Sequence, residues 1–170
     1  MSVVSGNEKI DFGSEKVDGG WYVVNDGVMG GLSQSRIAFT KDAMIFQGNL
    51  SLENNGGFAS IRTPWGNYDL SQFNKIVMRI KGDGRNYGFV LSNATRFYLP
   101  NYKHDIASKE DKWTTIELPL REFHEEIVGR KTGKMVQEKN LEDVIRMGII
   151  LSDKIPGPFK LEIDYIEFQK

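Results

Sequence analysis

The sequence predicts an all-β protein, an antiparallel β-sandwich of the jelly-roll type, on three observations. Short runs of alternating apolar and polar residues recur along the chain, as in half-buried strands, and few stretches have helical spacing. The 18 glycines among 170 residues exceed the average of about 7% and predict many turns. This length suits one domain of about 150 residues. We therefore expect one domain over residues 1–170, with residues 1–18 as a partly ordered N-terminal segment.

The first strong strand pattern predicts a hairpin. Ile37 and Phe39 share one parity, and the following run continues the alternation with Met44, Phe46, Leu50 and Leu52. The break at residues 40–42 is the expected turn. Residues 54–57, Asn-Asn-Gly-Gly, are a stronger turn signal because asparagine and glycine tolerate positive φ. They lead into a predicted strand at residues 58–62.

The middle of the chain continues the strand pattern. Apolar residues alternate with charged ones over residues 75–81, and the glycines within residues 82–84 predict a hairpin turn into a strand at residues 87–91. Further strands are predicted at residues 96–99 and 113–118. Because Trp113 and Phe159 each begin a strongly alternating strand, we expect both side chains in the core between the sheets.

The last third of the chain contains the only helix candidates. These are residues 120–127 and residues 140–143, where Asn140 is expected to be the N-cap. Near the C terminus the apolar residues stand first at odd positions, namely Phe159, Leu161 and Ile163. They then stand at even positions, namely Ile166 and Phe168. This slip predicts a β-bulge near residues 164–165.

Composition and charge exclude several classes of function. The chain has no cysteine, so disulfide scaffolds, zinc ribbons and thiol nucleophiles are excluded. A net charge of −1 gives no electrostatic attraction for nucleic acid. No apolar run is long enough to span a membrane, and no leader pattern is seen, so we expect a cytoplasmic protein that is not membrane-spanning.

Catalytic and metal-binding motifs were sought without success, so we expect no enzymatic activity and no cofactor. His104 and His124 lie far apart in sequence without ligand spacing, and we expect both in surface loops. No nucleophile elbow or phosphate-binding loop is present. A structural calcium among loop carboxylates stays open, with candidates at Asp26, Asp153 and Asp164.

Two short segments stand out as candidate sites. Residues 21–33 combine three glycines with Asn25, Asp26 and Met29. Such a composition indicates unusual backbone dihedrals or a close approach of the backbone. We expect Asp26 to cap a turn rather than to bind a ligand directly.

The second segment contains Asp83 and Arg85. Asp83 is expected to accept hydrogen bonds from backbone amides of its own turn. Arg85 is expected to emerge beside it with a fork suited to a carboxylate or to a partner's carbonyl.

Several blocks of the sequence resemble one family. VNDGVMGGLS at residues 24–33 and KGDGRNY at residues 81–87 are the more specific blocks. Weaker ones are NGGFASIR at residues 55–62, the strand from Trp113 to Pro119, and LSDKIPGPFKLEIDYI at residues 151–166. Together, from Trp21 to Phe168, they resemble the complex I intermediate-associated protein 30 family. The resemblance implies a galactose-binding-like β-sandwich, similar to some carbohydrate-binding modules, that serves as a non-enzymatic assembly factor for respiratory complex I.

Two functional hypotheses follow. The first is a protein-binding module with a partner such as a respiratory-complex subunit, whose candidate surface consists of Asn25, Asp26, Met29, Arg62, Trp65, Asp83 and Arg85. The alternative is a glycan- or small-ligand-binding module whose aromatic side chains stack on sugar rings, with candidates Trp65, Tyr68, Tyr98 and Tyr102. We expect at least half of these four to pack in the core or at its rim. Aromatic side chains aligned along one open face would favour the glycan-binding hypothesis. An exposed apolar patch with nearby Arg and Lys would favour the protein-binding hypothesis.

Overall fold

The computed structural model describes residues 8–15, 20–54 and 56–170, and these residues form two sheets of antiparallel strands. In chain order the strands are β1 (Glu8–Asp11), β2 (Tyr22–Asn25), β3 (Gln34–Phe39), β4 (Met44–Leu50), β5 (Ala59–Arg62), β6 (Lys75–Lys81), β7 (Asn86–Ser92), β8 (Asn101–Ala107), β9 (Trp113–Pro119), β10 (His124–Ile127), β11 (Arg130–Met135), β12 (Arg146–Leu151) and β13 (Gly157–Gln169). Helical segments are short, namely α1 (Phe12–Glu15), α2 (Glu138–Glu142) and 3₁₀ turns at Asp26–Met29 and Leu120–Glu122. The predicted all-β sandwich is confirmed.

The two sheets have simple strand orders. Sheet A runs β3-β4-β13-β6-β9, and β1 pairs with β13 beyond the end of β4. Sheet B runs β11-β10-β8-β7-β12-β5-β2. Consecutive strands β5, β6 and β7 alternate between the sheets, so the chain crosses the sandwich repeatedly, as in a jelly roll. The crossings fix which loops meet at each end of sheet B.

The core lies between the inner faces of the sheets. Because side chains alternate along a strand, each sheet sends every second residue inward. Phe46 and Phe159 of sheet A meet edge to face with ring centroids 5.0 Å apart, and Tyr87 of sheet B lies 6.5 Å from Phe159. Phe159 is therefore an inter-sheet core residue, as predicted.

The prediction for Trp113 is wrong, because this side chain lies on the outer face of sheet A. Its neighbour Thr114 pairs with the buried Ile80, so Trp113 has the opposite parity and points outward. The guanidinium carbon of Arg79 lies 4.4 Å from the Trp113 ring centroid, and Lys81 Nζ lies 5.7 Å from it. The indole thus stacks under two cations and is only half-buried.

Two local predictions are confirmed. β3 and β4 form a hairpin whose turn is closed by Thr40, since the Thr40 hydroxyl accepts hydrogen bonds from the N–H groups of Asp42 and Ala43. In β13 the register with β6 shifts between Ile163 and Tyr165, which is the bulge expected from the parity slip.

The predicted hairpin around residues 82–84 is wrong, because β6 belongs to sheet A and β7 to sheet B. The segment is a crossing between the sheets. It runs beside the return crossing, and Gly82 exchanges backbone hydrogen bonds with Lys109 and Asp111. A Cβ at Gly82 would lie 2.2 Å from Ser108 Cβ, so the glycine allows two backbones to approach closely.

Three further predictions of secondary structure are wrong. Residues 96–99 form a turn in the β7–β8 connection instead of a strand. Residues 120–127 form a 3₁₀ turn followed by β10, because that segment pairs with β8. Asn140 is the third residue of α2 and not its N-cap. Its Oδ1 accepts a hydrogen bond from the N–H of Gln137, which is the N-cap.

Candidate functional site on the outer face of sheet B

The strand register aligns one row of side chains across the outer face of sheet B. Directly opposed residues of antiparallel strands point to the same side. The inner-face row includes the buried Ile61, Ile149 and Phe89. The adjacent outer-face row runs across all seven strands as Tyr22, Arg62, Gly148, Val90, Lys103, His124 and Met135. Sheet B therefore has a continuous outer surface on which polar and basic groups are placed side by side.

Arg62 and Arg146 lie next to each other on this surface. Gly148 stands opposite Arg62, and Arg146 lies two residues before Gly148 on the same face of β12. A Cβ at Gly148 would lie 3.3 Å from Arg62 Cγ, so the glycine leaves room for the arginine stem. Arg62 Nε donates to Ser60 Oγ at 3.0 Å. The guanidinium of Arg146 stacks 4.0 Å from the Trp65 ring centroid and donates to Tyr22 Oη at 3.4 Å.

The two arginines are close enough to affect each other electrostatically. Burial, followed by the positive charge of Arg146, lowers the pKa of Arg62 to about 10. Burial also lowers the pKa of Arg146. Among the described residues neither guanidinium forms an ion pair with a carboxylate. This part of the surface therefore concentrates positive charge without a counter-charge.

The same face contains a second basic region farther along the row. The side chain of Lys103 passes over Gly88 of the neighbouring strand. A Cβ placed on Gly88 would lie 2.2 Å from Lys103 Cε. His124 Nε2 lies 2.5 Å from Glu126 Oε2. The expectation that both histidines lie in loops is wrong, since His104 is on β8 and His124 on β10. His104 points inward and packs against Phe123, with 5.4 Å between the ring centroids.

One end of sheet B exposes large apolar side chains. Trp65 follows β5, Phe97 and Tyr98 lie in the β7–β8 connection, and Ile127 and Val128 end the β10–β11 hairpin. Because these strands are antiparallel, all three connections lie at the same end of the sheet. Phe97 is 76% exposed and Val128 is 55% exposed. These five residues are called the apolar end below, and one of them, Trp65, stacks on Arg146.

Asp26 lies at the opposite end and organises the glycine-rich loop. Its side chain is fully buried and accepts hydrogen bonds from the N–H of Ser33 at 2.9 Å, of Gly57 at 2.8 Å and of Phe58 at 3.2 Å, and from the Ser33 hydroxyl. A Cβ at Gly31 would lie 2.5 Å from Asp26 Cγ, so glycine is required there. Asp26 binds backbone N–H groups as predicted, but two of the three, those of Gly57 and Phe58, belong to a distant segment and not to its own loop. The side chain itself is fully buried.

The electrostatics of Asp26 follow from these bonds. Burial acts to raise the pKa of its carboxyl, but hydrogen bonds from the Ser33 hydroxyl and from backbone N–H groups outweigh it and lower the pKa. Asn25, beside it, is half-buried, and its Oδ1 accepts a hydrogen bond from Ser35 Oγ at 2.7 Å. The side chain of Met29 lies outside the described residues.

Asp83 and Arg85 form a separate structural network at this same end. Asp83 accepts hydrogen bonds from the N–H of Arg85 at 3.0 Å, the Tyr87 hydroxyl at 2.9 Å and the N–H of Lys160 at 2.7 Å, so the predicted turn cap is confirmed. The Arg85 fork binds a carboxylate, as the sequence suggested, and that carboxylate belongs to this chain. Arg85 Nε and Nη2 lie 2.9 and 2.7 Å from the two oxygens of Asp153, and Nη1 donates to the Pro158 carbonyl at 3.0 Å.

The aromatic glycan candidates do not share one environment. Tyr68 is buried and donates to the Pro64 carbonyl at 2.8 Å. Tyr102 is also buried, and burial together with Glu125 raises the pKa of Tyr102 to about 12. Trp65 and Tyr98 are exposed. The expectation that at least half of the four pack in the core or at its rim is confirmed.

The three calcium candidates lie apart and are engaged with other groups. Asp153 binds Arg85, and Asp164 Oδ2 lies 3.0 Å from Arg79 Nη1. Asp26 binds the loop amides described above. No cluster of three or more histidine or carboxylate side chains suited to a metal ion is found within residues 8–15, 20–54 and 56–170. The expectation that the protein has no cofactor stays a prediction.

Of the seven candidate surface residues, Arg62 lies on the strand next to Arg146 and Trp65 stacks on Arg146, whereas Asn25, Asp26, Asp83 and Arg85 lie toward the other end and the side chain of Met29 is not described. The sequence did not indicate Lys103, Arg146 or the apolar-end residues Phe97, Ile127 and Val128 as candidates. A charged residue at the start of the apolar run Arg146–Leu151 was a usable signal for Arg146. No local pattern indicates that β5 and β12 are neighbours, because their pairing joins segments distant in the sequence.

The two sheets define the class of this protein as an antiparallel β-sandwich domain, and comparison with known proteins identifies its family. The profile described as Complex I intermediate-associated protein 30 (CIA30) matches residues 10–163. The chain belongs to this family. The family member from Mus musculus, named Complex I intermediate-associated protein 30, mitochondrial, is 29% identical over 170 residues, which cover 86% of this chain and 51% of the mouse protein. A probable family member from Caenorhabditis briggsae is 32% identical over 98 residues, covering 55% of this chain and 28% of that protein.

The chain spans about half the length of the mouse relative. The relatives' names place them in mitochondria, whereas the cytoplasmic location expected from this sequence stays a prediction. No helix within the described parts of the chain has the length and apolar character needed to cross a membrane.

Solved structures support the fold assignment. The family 11 carbohydrate-binding module of the cellulosomal cellulase Lic26A-Cel5E of Clostridium thermocellum superposes with a TM-score of 0.67 at 17% identity, covering 98% of this chain and 96% of that one. A family 11 module from Clostridium thermocellum in complex with a beta-1,3-1,4-mixed-linked tetrasaccharide has a TM-score of 0.66 at 17% identity, covering 98% and 97%. At this identity the likeness establishes the β-sandwich fold alone.

Proposed function

We propose that this chain is a non-enzymatic protein-binding module that acts in the assembly of respiratory complex I. Family membership over residues 10–163 is the observation that carries the proposal. The names of the relatives describe association with an intermediate of complex I, which is a binding property and not a reaction. The partner is expected to be a subunit of that intermediate.

The apolar end of sheet B is the surface proposed to contact the partner. Exposed aromatic and aliphatic side chains next to arginine are typical of the anchors that dominate protein interfaces. Phe97, Tyr98 and Val128 lie on connections between strands, so their positions are supported by the rigid sheet beneath them. Arg146 and its stack on Trp65 place a charged group at the rim of this surface.

Capture of partners from the source organism's own cells tests this function. The tagged protein is cross-linked to its partners in the cells and then purified. The proteins that purify with it are identified by mass spectrometry. We expect complex I subunits to be enriched, and the double variant F97S/V128S to reduce that enrichment severalfold because it removes two exposed apolar anchors. The matched control is I155S, which changes a residue that is 57% exposed near the opposite end of sheet B.

The possible outcomes separate the two hypotheses. If complex I subunits are no longer enriched by F97S/V128S but are still enriched by I155S, both the assembly function and the apolar end as contact surface are supported. Equal enrichment by all forms would move the contact away from the apolar end. No enrichment of complex I subunits, together with saturable binding of a mixed-linked β-glucan oligosaccharide in calorimetry, would replace the proposal by the glycan-binding alternative.

A further inference from the structure

Arg146 is a charged side chain buried without a counter-charge. It is only 7% exposed, and among the described residues its side chain contacts the Trp65 ring and the Tyr22 hydroxyl, neither of which is a carboxylate. Buried charges in proteins are normally paired, because removal from water is unfavourable unless another charge compensates it. A second positive charge at Arg62 increases this cost.

The unpaired nitrogens of the two arginines can still be reached from solvent. Arg62 uses Nε for Ser60, which leaves its two terminal nitrogens without a hydrogen-bond partner among the described residues. Within the described parts of the chain, the fully buried side-chain polar atoms that lack a partner are Glu8 Oε2 and Thr114 Oγ1, and no arginine nitrogen is among them. The unpartnered nitrogens of both guanidinium groups therefore keep some contact with solvent, which an external ligand requires.

We propose that Arg62 and Arg146 together bind a phosphate group on the outer face of sheet B. The two residues lie diagonally on neighbouring strands, roughly 7–8 Å apart at the backbone, which long side chains can bridge. A phosphate carries about −1.5 to −2 charges at pH 7 and so matches two guanidinium groups, whereas a carboxylate carries one. The planar arginine fork also suits phosphate oxygens geometrically.

The surroundings of the pair favour an anion. The Tyr22 hydroxyl accepts a bond from Arg146, so its own proton remains available for a phosphate oxygen. Ser92 is the residue directly opposite Arg146 on the same face. In the parts of the chain that the structure describes, the carboxylates on this face are distant or engaged, since Asp105 is on β8, three strands from Arg62, and Glu126 is held by His124.

Nuclear magnetic resonance of the arginine Nε–H groups tests the site in the unmodified protein. The probe is inorganic phosphate, added at constant ionic strength against sodium chloride. We expect saturable shifts of the Arg62 and Arg146 signals and no saturable shift of Arg36, an exposed arginine on β3 of sheet A. A parallel titration uses O-phosphoserine, and tighter binding of this probe would identify a phosphorylated side chain as the source of the group.

Variants provide the second measurement. R62Q should weaken phosphate binding by roughly tenfold or more, as expected when one charged hydrogen-bonding partner is lost, while R36Q should bind like the parent protein. The proposal is overturned if neither probe gives saturable shifts, if R62Q retains the parent affinity, or if acetate shifts the two signals at the same concentrations as phosphate. Should R62Q not fold, the titration of the parent protein still decides. None of these outcomes depends on the protein-binding function.

Discussion

Asp26 is the residue on which the glycine-rich loop depends, because one carboxylate accepts hydrogen bonds from Ser33, Gly57 and Phe58. An asparagine has nearly the same shape but would turn an N–H₂ group toward donors. We expect D26N to lower the free energy of unfolding by about 2 to 3 kcal/mol, the range for bonds to a charged acceptor. Urea denaturation followed by tryptophan fluorescence measures the change.

The control for this substitution is D105N, which alters an exposed aspartate on β8. Its unfolding midpoint should stay within experimental error of the parent protein. If D26N were as stable as D105N, the carboxylate would have no structural role in the loop. Binding of a partner should be affected by D26N only through stability, because the Asp26 side chain is fully buried.

At the scale of the element, β9 and β13 show how strand parity decides the energetic role of an aromatic residue. Phe159 packs between the sheets, whereas Trp113 stacks outside beneath Arg79 and Lys81. F159A should cost about 3 to 5 kcal/mol because it leaves a cavity in the core. W113A should cost only about 1 kcal/mol, the contribution of a surface cation–π contact. Thermal or urea unfolding of both variants gives the comparison, and equal losses would show that the two side chains share one environment.

At the scale of the whole molecule, two buried carboxylates make stability depend on pH. Hydrogen bonds outweigh the effect of burial and lower the pKa of Asp26 and of Asp153 in the folded protein. Protons therefore bind the unfolded chain more readily, and the stabilisation is present above the unfolded pKa of about 4 and is lost as the pH falls through the folded pKa. We expect the free energy of unfolding to decrease steeply below about pH 4.

Urea titrations between neutral and acid pH measure this dependence. D26N should show a shallower decrease than the parent protein, because one of the two carboxylates no longer titrates. D105N should follow the parent curve. A parent protein whose stability did not change across the acid range would contradict the assignment of Asp26 and Asp153 as carboxylates stabilised in their charged form.

Features that depend on neighbouring residues could be predicted from the sequence alone. Alternation specified most strands and the bulge of β13, and the Thr40 turn followed from local turn chemistry. The family could also be identified, because its motifs are contiguous blocks. The fold was needed to show that residues 82–84 cross between sheets, that Trp113 faces outward, that Arg62 lies beside Arg146, and that Asp26 binds Gly57 and Phe58. Alternation shows that a strand has two faces. Which face is buried, and which strand is its neighbour, depends on long-range pairing that no local pattern encodes.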